Sequence, residues 1–352
     1  MNPRYQKQIR LKGFGAEGQS KLQNFRILIV GVGGLGIPAA TYLNAMGVGT
    51  IGLVDGDCVE ASNLHRQVLF EPDDIGKSKV ACAAQKLRSQ NADTLVNEYP
   101  EHLTVANGLQ IAQSYDLIID ATDTFGSRYL INDICVILGI PFVYAALHGF
   151  EGQLSVFNYQ NGPTYRCLFP EPPEPGSIPS CDELGILGVL PGILGNMQAL
   201  EAVKICNLLG EVTSGKLLLY NGLYSTVEQI ELPGRKPNSE ISTLQDDYGI
   251  FCPVSDCIRA SELHDLVNQG TSISLIDVRT REEFIATSLP GAINIPIERL
   301  EDISNNITSE PVYLICRSGM RSQLAQRLLK EKTGTAIPFV KGGMNEYETL
   351  CS

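Results

Sequence analysis

Positive charge is in short supply in this sequence. Against 39 acidic residues stand 27 lysines and arginines, a formal net charge of -12, which excludes a nucleic-acid backbone as the main partner. Unbroken apolar runs of membrane length are missing too. Residues 27–54 and 184–200 are uncharged, but glycines and a proline interrupt each, so they read as buried α/β core and no membrane partner is expected. The N-terminal MNPRYQKQIRLKGFG has no apolar segment followed by a small-residue cleavage site, and the expected location is cytoplasmic. There is no internal repeat and no low-complexity tract. The 10 cysteines show no compact disulfide spacing, so most are expected to be free, buried thiols. Cys58, Cys82, Cys135 and Cys206 fall in apolar or helical text and are expected to be inert in this way.

With 43% hydrophobic and 19% charged residues the chain is globular, and 352 residues accommodate a large and a small domain. Arg26–Val30 is an apolar run of strand length ending in glycines, residues 37–46 read as a helix stopped by Gly47, and residues 50–54 as the next strand. That order is a right-handed crossover of a parallel sheet. Residues 116–120, 141–145, 154–158 and 216–220 read as later strands, with a long apolar helix over 191–209. A polar, Pro- and Ser-containing stretch then reads as a flexible linker. Beyond it, helix 260–268, strand 273–277, strand 310–316, helix 318–331 and strand 336–340 make a second small α/β unit. The expected division is 1–232, a linker 233–256, and 257–352.

Gly31-Val32-Gly33-Gly34-Leu35-Gly36 follows a strand and opens a helix, where glycines permit the tight turn and free amides face a phosphate. Asp55 ends the next strand, placed to accept a ribose hydroxyl. These two features fit NAD, FAD or ATP alike, on a Rossmann-like, mostly parallel sheet. Three segments further along discriminate: Gly56 to Gln67 (GDCVEASNLHRQ), then Ile75-Gly76-Lys77-Ser78-Lys79, then Asp120-Ala121-Thr122-Asp123. A redox dinucleotide needs no such gathering of cations at its phosphates. Attack of a carboxylate on the α-phosphate of ATP does, to offset the repulsion of two anions, and Arg66 and Lys79 can supply it. Asp123, at a strand end, can hold or reach the Mg²⁺ that bridges phosphates.

Over about the first 250 residues these motifs, with Arg4-Tyr5-Gln6-Lys7-Gln8 and the SCDELGILGVLPGILGNMQALEAVK segment from Ser180, make the chain resemble the MoeB/ThiF family. Its members are ubiquitin-activating-enzyme-like adenylyltransferases acting on ubiquitin-like sulfur carriers. The resemblance implies ATP on the glycine loop (Gly31, Gly33, Gly34, Leu35, Gly36), ribose at Asp55, and Asp57, Asn63, Arg66, Gln67, Lys79 and Asp123 about the nucleotide and its Mg²⁺. It implies a homodimer in which Lys7 reaches the partner's ATP, and a loop thiol, Cys181, facing the activated carrier terminus. Three positions depart from the family. Lys7 stands where an arginine is usual and keeps charge without the planar fork. Thr124 replaces the usual asparagine after the catalytic aspartate. Of the two C-x-x-C pairs that bind structural zinc only Cys167 remains, with Thr164 at its partner position, while Cys252 and Cys257 are spaced C-x4-C and lie too far along; no zinc is expected.

In the small domain a buried strand runs into Cys316-Arg317-Ser318-Gly319-Met320-Arg321-Ser322 and then a helix. A cysteine there sits where inward amides favour a thiolate or persulfide anion. Cysteine phosphatases need a wider C-x5-R loop for a tetrahedral phosphate, and this C-x4-R loop suits a sulfur atom. Together with LIDVRTREEF (Asp277, Arg279, Glu283), LPGAINIP and Lys341-Gly342-Gly343-Met344, the loop resembles that of the rhodanese family. Cys316 is then the persulfide carrier and Arg317 and Arg321 the loop cations. The two resemblances imply ATP-dependent adenylation of the C-terminal glycine of a ubiquitin-like sulfur carrier, then sulfur transfer from Cys316, loaded by a sulfane sulfur donor, to give the carrier thiocarboxylate. The catalytic set is Arg66, Lys79, Asp123, Cys181 and Cys316. Adenylation of another carboxylate beside an independent sulfurtransferase, or a non-catalytic carrier-binding scaffold, are the alternatives.

Overall fold

The computed structural model describes residues 2–172, 185–235, 238, 240–246, 248, 257–299, 311–333 and 337–350. They fall into two compact units, one built from residues 1–172 and 184–250, the other carrying everything described from Cys257 onward.

The first unit is an eight-stranded sheet in the order β3-β2-β1-β4-β5-β6-β7-β8. Its parallel half comprises β1 (Arg26–Val30), β2 (Thr50–Val54), β3 (Leu95–Tyr99), β4 (Leu117–Asp120) and β5 (Phe142–His148). Three antiparallel strands complete it: β6 (Glu151–Phe157), β7 (Lys216–Asn221) and β8 (Thr226–Glu231). The central strands read as unbroken apolar runs because both faces are covered. Along β1, Ile27 and Ile29 join the core under α3 (Gly36–Met46), α4 (Lys79–Gln90) and the 19-residue α8 (Val189–Asn207). Leu28 and Val30 face the opposite core, with residues of α5 (Gly108–Ala112) and α6 (Phe125–Leu138). The α/β expectation for this half therefore holds. A short helix α1 (Gln6–Ile9) and α2 (Gly15–Asn24) precede the sheet, and α7 (Tyr165–Leu168) follows β6. No helix among the described residues is long and apolar enough to cross a membrane.

The described residues of the expected flexible linker are fastened to this unit. Arg235 N and Asn238 Nδ2 donate to Cys167 Sγ at 3.3 and 3.6 Å, and Asn238 also donates to Arg166 O. Tyr248 Oη donates to Asp133 Oδ2 at 2.7 Å, beside the bidentate Arg166–Asp133 ion pair, while Leu244 and Tyr248 pack on the core. Cys167 Sγ further accepts from Thr164 N. Burial pushes this thiol up, but the hydrogen bonds from Thr164, Arg235 and Asn238 outweigh it, and the pKa lies below the ordinary value. Donors thus occupy the sulfur at the position where the family places a zinc ligand. Among the described residues no group of three or more His, Cys, Asp or Glu could hold a metal. The buried-thiol expectation is met by Cys82 and Cys135 and corrected for two others: Cys58 is exposed, because it pairs in a bridge with Ser78 on an outer loop, and Cys206 is only half-buried.

The second unit is a five-stranded parallel sheet, β11-β10-β12-β13-β9. Its elements are β9 (Cys257–Arg259), α9 (Ala260–Asn268), β10 (Ser274–Asp277), α10 (Arg281–Ala286), β11 (Ile293–Asn294), β12 (Val312–Ile315), α11 (Met320–Thr333), β13 (Phe339–Lys341) and α12 (Gly343–Leu350). Leu314 and Phe339 face the core with Ala325 and Leu329 of α11. Ile315 and Val340 face Ala260 and Leu263 of α9 and Met344 and Tyr347 of α12.

Replacing Cys167 by Ala leaves the Thr164, Arg235 and Asn238 donors without their shared acceptor, at about 1–3 kcal/mol. The melting temperature should fall and limited proteolysis should nick residues 235–248 faster, with Cys167→Ser restoring part of both.

Candidate active sites

Both candidate sites lie at the carboxyl ends of parallel strands, where the chain reverses and loops leave a crevice. In the first unit β1 pairs with β4 so that Val30 stands opposite Asp120, and the two strands exit side by side. Gly31 turns here with φ +95°, and a Cβ on it would lie 2.5 Å from Ala121 O, so no other residue fits. The loop then enters α3, so the start of a helix stands where the glycines lead a phosphate to be expected. The side chain of Leu35 is buried with Ala145, Leu154 and Leu194, which leaves its backbone on the loop.

Asp55 follows β2 and takes Val32 N on Oδ2 (2.7 Å) and Asp57 N on Oδ1 (2.8 Å). Burial raises its pKa against the opposing charge of Lys79. Each carboxylate oxygen keeps a lone pair for a ribose hydroxyl. Lys79, the first residue of α4, is buried with Nζ 3.1 Å from Asp57 Oδ2. His102 Nε2 lies 3.7 Å from Asp57 Oδ1, a neighbour the sequence did not flag because a lone histidine after β3 carries no motif. Arg66 and Gln67 stand over the glycine loop. A side chain at Gly34 would meet Arg66 Cγ at 3.5 Å, and one at Gly33 would meet Gln67 Nε2 at 3.6 Å. Arg66 is steadied by Ser62 O at 3.0 Å, and Gln67 Oε1 is buried with no partner among the described residues, a polar atom in the wall open to a donor. Asn63 is buried and structural: its Oδ1 accepts Glu60 N, and its carbonyl accepts the amides of Arg66 and Gln67.

Asp123 is exposed in the turn after β4, and Thr124 next to it caps α6 by accepting Ser127 N, a task asparagine would also perform. The donor set, two cations, an exposed carboxylate and a glycine-opened helix, fits a nucleotide triphosphate with Asp123 toward a metal. Lys7 is not brought to this site. Tyr5, two residues before it, is buried against Gly47 at the far end of α3, about 16 Å of helix away from the loop. Cys181 lies outside the described residues.

In the second unit Cys316 follows β12, fully buried, with Sγ accepting Gly319 N at 3.2 Å and Ser322 Oγ at 3.5 Å. The loop backbone is held from behind by α12: Met344 N donates to Cys316 O (2.8 Å) and Asn345 N to Arg317 O (2.9 Å). Gly343 (φ +59°) makes that approach possible, since a Cβ would collide with Cys316 O. Of the two loop cations, Arg321 is met by a bidentate Glu283 at 2.6 and 2.7 Å, whereas Arg317 is exposed without an ion-pair partner among the described residues. Asp277 and Arg279 form a buried pair that braces the neighbouring loop through Thr287 O. Ser318 lies half-buried in the loop, and Met320 opens α11.

A ThiF family model matches residues 5–243, and a rhodanese-like domain model matches residues 259–350. Proteins named adenylyltransferase and sulfurtransferase MOCS3 are similar over nearly the whole chain. That of Arabidopsis thaliana is 37% identical over 383 residues, 98% of this chain and 82% of its own. That of Caenorhabditis briggsae is 38% identical over 376 residues, covering 98% and 93%, and that of Anopheles gambiae 39% identical over 380 residues, covering 98% and 86%. Among solved structures, E. coli MccB with ATP superposes with a TM-score of 0.57 at 22% identity over 66% of this chain and 73% of that one. MccB with MccA-N7isoASN gives 0.61 at 20% identity over 69% and 75%. At these identities the structures speak for the fold.

The Arg321 hydrogen bonds hold the Glu283 carboxyl at about 2, below its usual 4.5. A depressed carboxyl contributes stability above the higher value and loses it as pH falls through the lower one. Melting curves should show the wild type losing more stability than Glu283→Gln between pH 4.5 and 2.

Proposed function

The chain belongs to the ThiF family, carries a C-terminal rhodanese-like domain and is an adenylyltransferase and sulfurtransferase; we propose that each unit supplies one half of a single reaction sequence on a ubiquitin-like sulfur carrier. The observation that carries this reading is the coexistence, in one chain, of a cation-flanked glycine loop and a cysteine loop whose Gly319 amide and Ser322 hydroxyl meet the sulfur. Adenylation turns a carboxylate oxygen into a good leaving group, and a persulfide is the nucleophile able to exploit it.

In the first half the carrier's terminal carboxylate attacks the α-phosphorus of ATP, forming the acyl adenylate and expelling pyrophosphate. Arg66 and Lys79 offset the charge gathered in that transition state, Asp55 fixes the ribose, Asp57 orients Lys79, and the α3 amides hold phosphate oxygens. Asp123 would hold Mg²⁺, which when bound neutralises phosphate charge. Lys7, remote from its own loop, serves the partner protomer's ATP in a homodimer. Zinc has no part in this scheme, Cys167 being committed to hydrogen bonds.

In the second half a sulfane sulfur donor converts Cys316 to its persulfide. The terminal sulfur attacks the acyl carbon, forming an acyl disulfide and releasing AMP. A second thiolate, which we assign to Cys181, attacks Cys316 Sγ; the S–S electron pair leaves with the carrier as thiocarboxylate, and the new Cys181–Cys316 disulfide is reduced by an external dithiol.

Mass spectrometry of a Gly-Gly-ended carrier after incubation with Mg-ATP and a sulfur donor tests the sequence. Cys316→Ala should spare ATP–pyrophosphate exchange and abolish the exchange of one carboxylate oxygen for sulfur. Sulfur transfer by that variant would sink the order of events. Arg66→Ala should lower exchange by about 10²–10³-fold, the cost of one charge-stabilising donor. Mixing Lys7→Ala with Asp123→Asn protein should regain activity that neither has alone, and failure to do so would remove the shared site.

A further inference from the structure

Arg128, on α6, belongs to none of the sequence motifs, yet it holds the turn that presents Asp123. Its side chain is only 7% exposed, and it makes no ion pair among the described residues. The opposite charges of Asp120 and Asp123 reach it only through space, and burying a guanidinium with no carboxylate in direct contact is unfavourable unless the site puts its fork to use. Here the guanidinium lies near the rings of Phe125 and Tyr144, 5.4 and 5.5 Å from their centroids, and donates from Nη2 to Thr122 O at 3.2 Å. From the other side, Asp120 Oδ1 accepts Thr122 N at 3.0 Å and Thr122 Oγ1 at 2.6 Å. Thr122 is thus gripped at its amide, hydroxyl and carbonyl. That carbonyl belongs to the peptide joining Thr122 to Asp123, so Arg128 fixes the plane from which Asp123 departs, and the Thr124 cap fixes the next residue. Two buried atoms of this clamp have no hydrogen-bond partner among the described residues, Arg128 Nε and Asp120 Oδ2, one a donor and one an acceptor. Such unfinished polarity is unfavourable in a core and is kept where geometry matters.

We propose that Arg128 is a positioning residue for adenylation: it orients Asp123 toward the metal and phosphates of ATP by clamping the Thr122 carbonyl. The proposal rests on the reading of Asp123 as the metal-side carboxylate. Lysine could supply the charge but not the fork that bonds the carbonyl while lying between two rings.

The test uses the full chain, with ATP binding measured by calorimetry with and without Mg²⁺, alongside pyrophosphate exchange. Arg128→Gln should leave the Mg²⁺-free affinity for ATP unchanged, lose the gain in affinity that Mg²⁺ brings, and lower kcat for exchange by about tenfold or more, as a displaced catalytic group does. Arg128→Lys should retain part of the gain, and it carries the test if Arg128→Gln melts early. The Asp123→Asn/Arg128→Gln double variant should be no worse than Asp123→Asn, because one acts through the other. If Asp123→Asn loses the Mg²⁺ gain and folded Arg128→Gln and Arg128→Lys both keep it, Arg128 is a core residue and the proposal falls. If Asp123→Asn itself keeps the gain, the reading of Asp123 fails first and takes the proposal with it.

Discussion

The contact on which the first unit depends is the approach of Gly31 to the carbonyl of Ala121. It is the point where two adjacent parallel strands leave the sheet together, and it forces the glycine loop and the Asp123 turn into one crevice. The chemistry of the site depends on that crowding. The loop can make this turn only because Gly31 is free to adopt positive φ, and the backbone leading to Asp123 is held at Thr122 by Asp120 and Arg128. The second unit obeys the same logic with different partners: Gly343 allows α12 to take the carbonyls of Cys316 and Arg317, and within the loop the Gly319 amide turns toward the sulfur.

A hydrogen-bonded thiol can do locally what a metal does. Cys167 gathers donors from Thr164, Arg235 and Asn238, and Asp133 gathers Arg166 and Tyr248 beside it. Segments far apart in sequence are joined by these two acceptors. Arg235, Asn238 and Tyr248 are in this way held to the first unit.

The features legible in the sequence are those written in consecutive residues. The strand at 26–30, the helix stopped by Gly47, the cations beside the loop and the C-x4-R turn all appear as local text, and each sits at its expected place. Elements whose identity is set by neighbours were hidden. β3 and β8 carry too many polar residues to stand out, being edge strands with one partner each. Cys58 looked apolar by context and is exposed, because a loop bridge to Ser78 decides its place. The Glu283 that neutralises Arg321 read as part of the LIDVRTREEF motif with no sign of its partner, and the buried clamp of Arg128 has no sequence signature at all: an arginine on a helix is ordinarily solvated.

The two sites differ in the groups they bring close to an anion, and the difference suits what each would hold. A triphosphate meeting a carboxylate concentrates several full charges, so the first site keeps cations at hand: Lys79 held by Asp57 and Arg66 beside the loop. A sulfur anion carries one diffuse charge and must remain a nucleophile. A strong cation pressed on it would lower its reactivity along with its basicity. The second unit accordingly pairs Arg321 with Glu283 and offers Cys316 the weak donors Gly319 N and Ser322 Oγ. In a chain with 12 more acidic than basic residues, each cluster of cations keeps an acid beside one of its members, Asp57 on Lys79 and Glu283 on Arg321, while Arg66 and Arg317 make no ion pair among the described residues.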